Sequence, residues 1–434
     1  MTKEIEITSL TYGGRGLGRI DGKVVFVPFA VPGDVLKVEI TKEKKSFAEG
    51  EIAEIVKPSE DRIEPRCAVF GTCGGCTWQN IKYEKQLEWK ARIFTETLER
   101  IGGVEFDKSL VKVEADEPYN YRSRARFQID GSKWGFFAAS SHTVVDIESC
   151  PLLDDRLNES YAAIKDFLKT RKHSLVSIEL ALSERDGMAV ASFYSTGSFS
   201  FKPDELLASI DSLKGYELFR SKSKGARPSI GDTSFKKVSS SGDRELLLKV
   251  SGMDFKAAIG SFTQVNPKMN DLLIEKLLEI SDIKGVERVL DLFCGIGNLT
   301  IPLAKLAADT QGVESDKRAV KYARANSAQE GIGVVRFDAD DAGKWLKNKE
   351  IKSLARPSWD VVILDPPRGG DLETVKSIIK LAPRKIIYVS CSPPTLARDI
   401  SFLRDNGYGL FGSVVLDMFP QTFHIESVVG LERV

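Results

Sequence analysis

The chain has 434 residues, too many for one ordinary domain, and its 42% hydrophobic and 29% charged residues are those of a soluble globular protein able to bury cores. Its 62 basic and 62 acidic side chains cancel, so any nucleic-acid surface must be a local gathering of charge. Nothing approaches the ~18 consecutive apolar residues of a membrane span, and MTKEIEIT has no basic-then-apolar leader pattern, so a cytoplasmic location with reduced thiols is expected. With 3 histidines against 6 cysteines, a histidine-rich metal site is excluded, and thiol or carboxylate chemistry becomes the place to look.

Residues 4–57 alternate apolar and polar positions between glycine turns (EIEITSL, YGGRGLGRIDG, KVVFVPFA, VPGDVLKVEITK, FAEGEIAEIV), which predicts a small β-barrel. Lys57-Pro58 opens a linker, and Cys67, Cys73 and Cys76 follow within RCAVFGTCGGCTWQN. Helical spacing over 83–100 sets Leu87, Ala91, Phe94 and Leu98 along one side, with Gly102-Gly103 as the stop. From about 120 to 250 strand-like runs (ARFQID, KWGFFAA, VSIELALS, MAVASFY, ELLLKV) dominate, giving a second, β-rich region. On its first strand Arg122, Arg124 and Arg126 share a face. Three like charges side by side call for an anionic partner, and phosphate is the natural one; solvated edge-strand positions are the plainer alternative. From 261 onward the rhythm is strand, glycine turn, helix, strand (RVLDLF, TQGVE, VVRF, WDVVILDP, KIIYVS), the doubly wound α/β pattern. The expected parts are 1–58, 59–255 and 256–434, with the 83–100 helix free to pack on either of the last two.

VLDLFCGIGNLTIPLA (289–304) is a buried strand ending in Asp291, a turn with Gly295 and Gly297, then a helix. Glycines let the backbone approach a ligand, and the helix start offers free N–H groups. Glu314 ends the next strand about twenty residues on, where a carboxylate can accept both hydroxyls of a ribose. Asn298 is a candidate for the amino-acid end of such a ligand and Asp341 for a base, although Asp338 and Asp340 share its acidic run. The turn is shorter than the dinucleotide type and resembles the DxFxGxG motif of class I methyltransferases, which bind S-adenosylmethionine. WDVVILDPPRGG then brings Asp365 to the carboxyl end of a strand, the edge where open α/β sheets bind ligands.

KIIYVSCSPPTLARD (385–399) puts Cys391 at that same edge, halted by Ser392-Pro393-Pro394 and facing a helix N-terminus that lowers a thiol pKa from its usual ~8.5. Arg398 either adds to that field or makes a structural ion pair. In the C-terminal PQTFHIE, Thr422, His424 and Glu426 alternate, so on a strand they face one side. A carboxylate entering an apolar strand must be paired or used, which makes Glu426 the preferred general base over His424.

SFTQVN, DLFCGIGN, DPPR, YVSCSPPTLARD and PQTFHIE, in that order, resemble the RNA 5-methyluridine methyltransferase family through nearly the whole chain. The resemblance implies a C-terminal Rossmann-like class I methyltransferase domain, methylation of uridine C5, Cys391 as nucleophile and Glu426 as base. It also implies that Gln264 and Phe293 join Asn298, Glu314, Asp341 and Asp365 around S-adenosylmethionine. Cys67, Cys73, Cys76 and Cys150 can hold zinc or an iron–sulfur cluster on their residue types, and the single CxxC speaks against a zinc ribbon. Ribosomal-RNA members of the family carry this arrangement and bind a 4Fe–4S cluster, so a structural cluster and a 23S-type rRNA substrate are expected. The N-terminal barrel resembles an OB-like TRAM module, with GGRGLGRIDGK as a flexible basic loop for RNA, and the target uridine is expected to be flipped from a loop. A transfer-RNA substrate is the competing enzyme reading. An RNA-binding chaperone with incidental methylation is the competitor of another class.

Overall fold

The computed structural model describes residues 2–105, 111, 113–223, 226–228, 234–352 and 359–434. At the N-terminus the strands Thr2–Leu10, Gly16–Ile20, Lys23–Val27, Phe47–Lys57 and Val35–Glu43 close, in that spatial order, into a five-stranded barrel. Their alternate residues, among them Ile5, Ile7, Val25, Val27, Leu36 and Val38, fill its interior. Gly18 is required there, because a Cβ would stand 2.3 Å from the Glu6 carbonyl oxygen. The glycine loop is not free, however. Arg15 pairs with Glu49 and lies over the Phe26 ring, Arg19 donates to the Gly22 carbonyl, and the Gly14 carbonyl accepts the Trp78 indole N–H.

The middle of the chain builds a seven-stranded sheet that includes Arg124–Asp130, Leu175–Ser183 and Met188–Ser195. Arg124–Asp130 pairs along its length with Leu175–Ser183, and only its end, Gln128–Asp130, pairs on the other side as well. Arg124 and Arg126 both donate to Glu179 on the neighbouring strand, which corrects the expectation of a phosphate partner for these two; Arg122 lies before the strand and bridges to Leu153 instead of sharing their face. Glu179→Ala leaves two mostly covered guanidinium groups without their counter-charge. A loss of roughly 3 kcal/mol is expected, the low end for breaking a buried pair, readable as a lower urea midpoint.

The C-terminal sheet has eight strands; its centre is parallel (Val335–Ala339, Asp309–Glu314, Arg288–Leu292, Val361–Leu364, Lys385–Ser390) and its flank antiparallel (Glu426–Arg433, Tyr408–Leu416). Continuous apolar runs such as VVIL and KIIYVS are buried on both faces, as parallel strands require. The helix Tyr83–Thr97 packs on this sheet's helix Pro393–Asp405, and Val113–Glu114 extends the sheet's edge beyond Tyr408–Leu416. The interval 59–255 thus contributes to three sheets, the third a two-stranded one of Glu245–Val250 and Met253–Ala258. Along that helix the fully buried side is Gln86, Lys90, Ile93, Phe94 and Thr97, while Leu87 and Ala91 are only half-buried. Among the described residues no helix is long and apolar enough to cross a membrane.

Candidate active site

Antiparallel pairing of Lys385–Ser390 with Glu426–Arg433 ends at Ser390 and Ser427, and Cys391 and Glu426 are the residues immediately beyond that last pair. Asp365 ends the adjacent parallel strand, whose Leu364 pairs with Tyr388. Cys391, Glu426, Asp365 and Arg368 therefore converge at the carboxyl edge of the sheet, close enough for each charge to act on the thiol. Glu426 opens its strand, but Thr422 and His424 lie in the loop before it, which corrects the expected alternation of all three on a strand.

Burial dominates the ionisation of these groups. The Cys391 thiol is half-buried and is pushed up to about 11, first by burial and then by the Glu426 charge, with Arg368 opposing. The expected lowering by the helix N-terminus does not prevail, because desolvation of the sulfur and two neighbouring carboxylates act the other way. Burial first, then Asp365, raises the Glu426 carboxyl well above its ordinary range. Asp365 is pushed up to about 7 by burial alone. His424 moves oppositely, down to about 4, by burial and then by Arg368, Lys90 and Arg122. Arg398 takes the structural course, donating to Asp399 at 2.8 Å.

The glycine turn 293–299 is held by the acid that ends the next strand: Glu314 Oε2 accepts the Gly295 N–H at 3.1 Å, while its Oε1 accepts from Asp316 and Ser315. Phe293 adopts φ 68° and Gly297 φ 90°, and a Cβ on Gly297 would stand 2.7 Å from Ile301 Cδ1. Asn298 exchanges reciprocal amide hydrogen bonds with Asn270, at 2.8 and 2.9 Å. Gln264, Phe293, Asn298 and Asp365 line one cleft, together with Glu184 from the turn that follows Leu175–Ser183. Glu314 and Asp341 do not line it. Asp341 is exposed and caps the following helix through Lys344 N–H, and Asp338 accepts the Trp345 indole N–H at 2.7 Å.

Two contributors escaped the sequence. Asp291 is fully buried between Asp365 and Glu314 and pushed up to about 7, mainly by burial; Thr300 hydrogen-bonds one oxygen and the other has no partner. Its place at the end of the first strand was the available signal. Tyr12 comes from the barrel: its hydroxyl meets Ser392, next to the thiol, and its ring packs edge-on to Phe423 at 5.7 Å. No local pattern announces a contact so distant in sequence.

Cys67, Cys73, Cys76 and Cys150 line a cavity of about 290 Å³, walled otherwise by side chains such as Val69, Phe70, Phe136 and Ile147. Burial is the first cause raising Cys73, Cys76 (to about 12) and Cys150, and the Gln79 amide donates to Cys76 Sγ at 3.2 Å. Among the described residues no three His, Cys, Asp or Glu side chains are grouped to hold a single metal ion.

Comparison with known proteins fits this geometry. The family model described as tRNA (uracil-5-)-methyltransferase matches residues 82–434, and the TRAM domain model matches residues 1–53. The chain is 33% identical to the 23S rRNA (uracil(1939)-C(5))-methyltransferase RlmD of Alkalilimnicola ehrlichii, over 99% of this chain and 96% of that protein. It is 32% identical to the protein of the same name from Legionella pneumophila, over 98% and 96% of the two chains. The crystal structure of Pyrococcus abyssi tRNA (uracil-54, C5)-methyltransferase in complex with S-adenosyl-L-homocysteine superposes with TM-score 0.76 at 25% identity, covering 99% of this chain and 100% of that one. The chain belongs to the RNA uracil-C5 methyltransferase family, with a TRAM domain at its N-terminus.

Proposed function

We propose that this protein methylates C5 of a specific uridine in 23S-type ribosomal RNA, with Cys391 as covalent nucleophile, Glu426 as general base and S-adenosylmethionine as methyl donor. The observation that carries this reading is the convergence of Cys391, Glu426 and Asp365 at the carboxyl edge of the sheet, near enough for both carboxylates to act on the thiol. Uracil C5 is a poor nucleophile. When the Cys391 sulfur bonds to C6, electron density moves to C5, which takes the methyl group. Glu426 then removes the C5 proton, the C5–C6 double bond re-forms, and the S–C6 electron pair returns to sulfur. A carboxyl raised above its ordinary range is a stronger base than an imidazole held near 4, which favours Glu426 over His424.

The residues suit the donor. Gln264, Phe293, Asn298 and Asp365 share a cleft, Glu314 stands behind the glycine turn, and the buried Asp291 oxygen lacks a partner. Asp341, exposed at the end of the third strand's turn, is read as meeting the adenine. S-adenosylmethionine supplies its methyl on a positively charged sulfur, and positive charge in the cleft favours the ionised forms of Cys391, Asp365 and Glu426. The target base has to leave its stack for sulfur to reach C6, so a uridine flipped from a loop is the expected substrate.

Four half-buried cysteines that line one cavity, with the Gln79 amide donating to a sulfur, would be the residues that hold a 4Fe–4S cluster. Such a cluster would tie the 67–76 segment to the central sheet. Anaerobic reconstitution should yield about four irons per chain and visible sulfide-to-iron absorption, both reduced in Cys76→Ser; stoichiometric zinc instead would contradict it.

The Pyrococcus abyssi neighbour favours transfer RNA as a second reading. Incubation with labelled S-adenosylmethionine and separate 23S rRNA and tRNA pools, followed by mapping of the modified base, decides between them. Label at C5 of one uridine in 23S rRNA supports the proposal; label confined to tRNA supports the second reading. An RNA chaperone would retain its cellular function in Cys391→Ala.

A further inference from the structure

The loop 417–425 delivers Glu426 to the site, and its buried backbone groups need partners. Those partners come from a part of the chain more than three hundred residues earlier. Lys90, fully buried, pairs with the fully buried Asp417 at 2.5 Å and donates to the Phe419 carbonyl at 3.1 Å, while the Tyr83 hydroxyl donates to the other Asp417 oxygen at 2.8 Å. Gln86 and Gln421 exchange hydrogen bonds, side-chain amide to side-chain carbonyl at 3.0 Å and backbone N–H to side-chain carbonyl at 3.1 Å. The Gln421 carbonyl accepts from the N–H groups of both Thr77 and Trp78, and Thr77 Oγ1 accepts the Phe423 N–H. Gln421 itself sits at φ 68°, a left-handed conformation that costs about 1–3 kcal/mol and persists only where the surroundings over-determine it.

We propose that Gln86 and the Lys90–Asp417 pair are positioning residues that latch the 417–425 loop and so fix the Glu426 carboxyl opposite Cys391. None of them reaches the thiol edge; their effect passes through the loop. This rests on the reading of Glu426 as the base, and it predicts a selective defect. Sulfur attack and methyl transfer use groups on the opposing strand, so they survive a loosened latch, whereas removal of the C5 proton does not.

The test uses the full chain with RNA carrying C5-tritiated uridine, and in parallel 5-fluorouridine RNA, in which the fluorine cannot leave as a proton does. Gln86→Met is expected to slow tritium release ~10–100-fold, as loss of a well-placed base does, to change fluorouridine trapping less than ~3-fold, and to accumulate a denaturation-resistant adduct on ordinary uridine. Lys90→Met should do the same; if it fails to fold because Asp417 is left uncompensated, Gln86→Met, which strands no charge, carries the test. Equal loss of trapping and release, or no change in either, would overturn the latch. Glu426→Gln run alongside separates the two ideas: if it too leaves no adduct, the base assignment fails, whereas an adduct in Glu426→Gln alone sinks only the latch.

Discussion

Cys391→Ala is expected to lower methyl transfer to RNA by on the order of 10⁴-fold or more, the scale of loss when a covalent nucleophile is removed, while leaving S-adenosylmethionine binding within about twofold. The first half follows from the chemistry: without a sulfur bond at C6, C5 has no carbanion character with which to attack a methyl group. The second follows from the cleft, whose lining residues Gln264, Phe293, Asn298 and Asp365 do not include the thiol. Wild-type protein should form a covalent complex with 5-fluorouridine RNA that survives denaturation, and Cys391→Ala should form none. A variant that still methylated at a tenth of the normal rate would end the nucleophile assignment.

The same thiol has a pH signature. With its pKa pushed up to about 11, Cys391 in the free protein is almost wholly protonated at neutral pH. Alkylation, followed on the Cys391 peptide by mass spectrometry, should therefore be slow at pH 7 and rise about tenfold per pH unit until pH 11 is approached. Fast modification at pH 7 would mean that the helix N-terminus outweighs burial after all.

What could be read in the sequence follows a physical division. Strands such as VVIL and KIIYVS declared themselves because burial on both faces needs unbroken apolar runs, and the glycine turn after Asp291 declared itself because only glycine fits Gly297. Partnerships across long separations did not. Arg124 and Arg126 looked unpaired because Glu179 stands more than fifty residues away. PQTFHIE has the period of a strand but is a loop up to Glu426, since its hydrogen bonds are made by Thr77, Trp78 and Gln86 and not by a neighbouring ladder. The helix face was misread for the same reason: Gln86 and Lys90 are buried because the loop needs them, and polarity alone argues for the surface. The ionisation of Cys391 was harder to read for a related reason, because a dipole is local and visible in sequence whereas desolvation is set by the whole fold.

Glu426→Gln should stop the reaction one step later than Cys391→Ala does. Glutamine matches the carboxylate in shape and cannot take a proton, so attack by Cys391 and methyl transfer proceed, and the C5 proton has nowhere to go. Turnover is expected to fall ~10²–10⁴-fold, the usual worth of a general base, with a methylated RNA–protein adduct accumulating on ordinary uridine. The sign of the pH effect can be worked out from the direction of the shift. Glu426 acts only when ionised, and its carboxyl is raised well above the ordinary range by burial and by Asp365. Wild-type proton release should therefore fall as pH drops through a value clearly above the ~4.3 of a free glutamate, and the residual rate of Glu426→Gln should lack that acid limb. If the variant instead lost activity without any adduct, Glu426 would be acting before sulfur attack, most simply by taking the Cys391 proton. That outcome would move the C5 proton to another acceptor near the thiol, for which Asp365, pushed up to about 7 at the same edge, is the group within reach of the shared field.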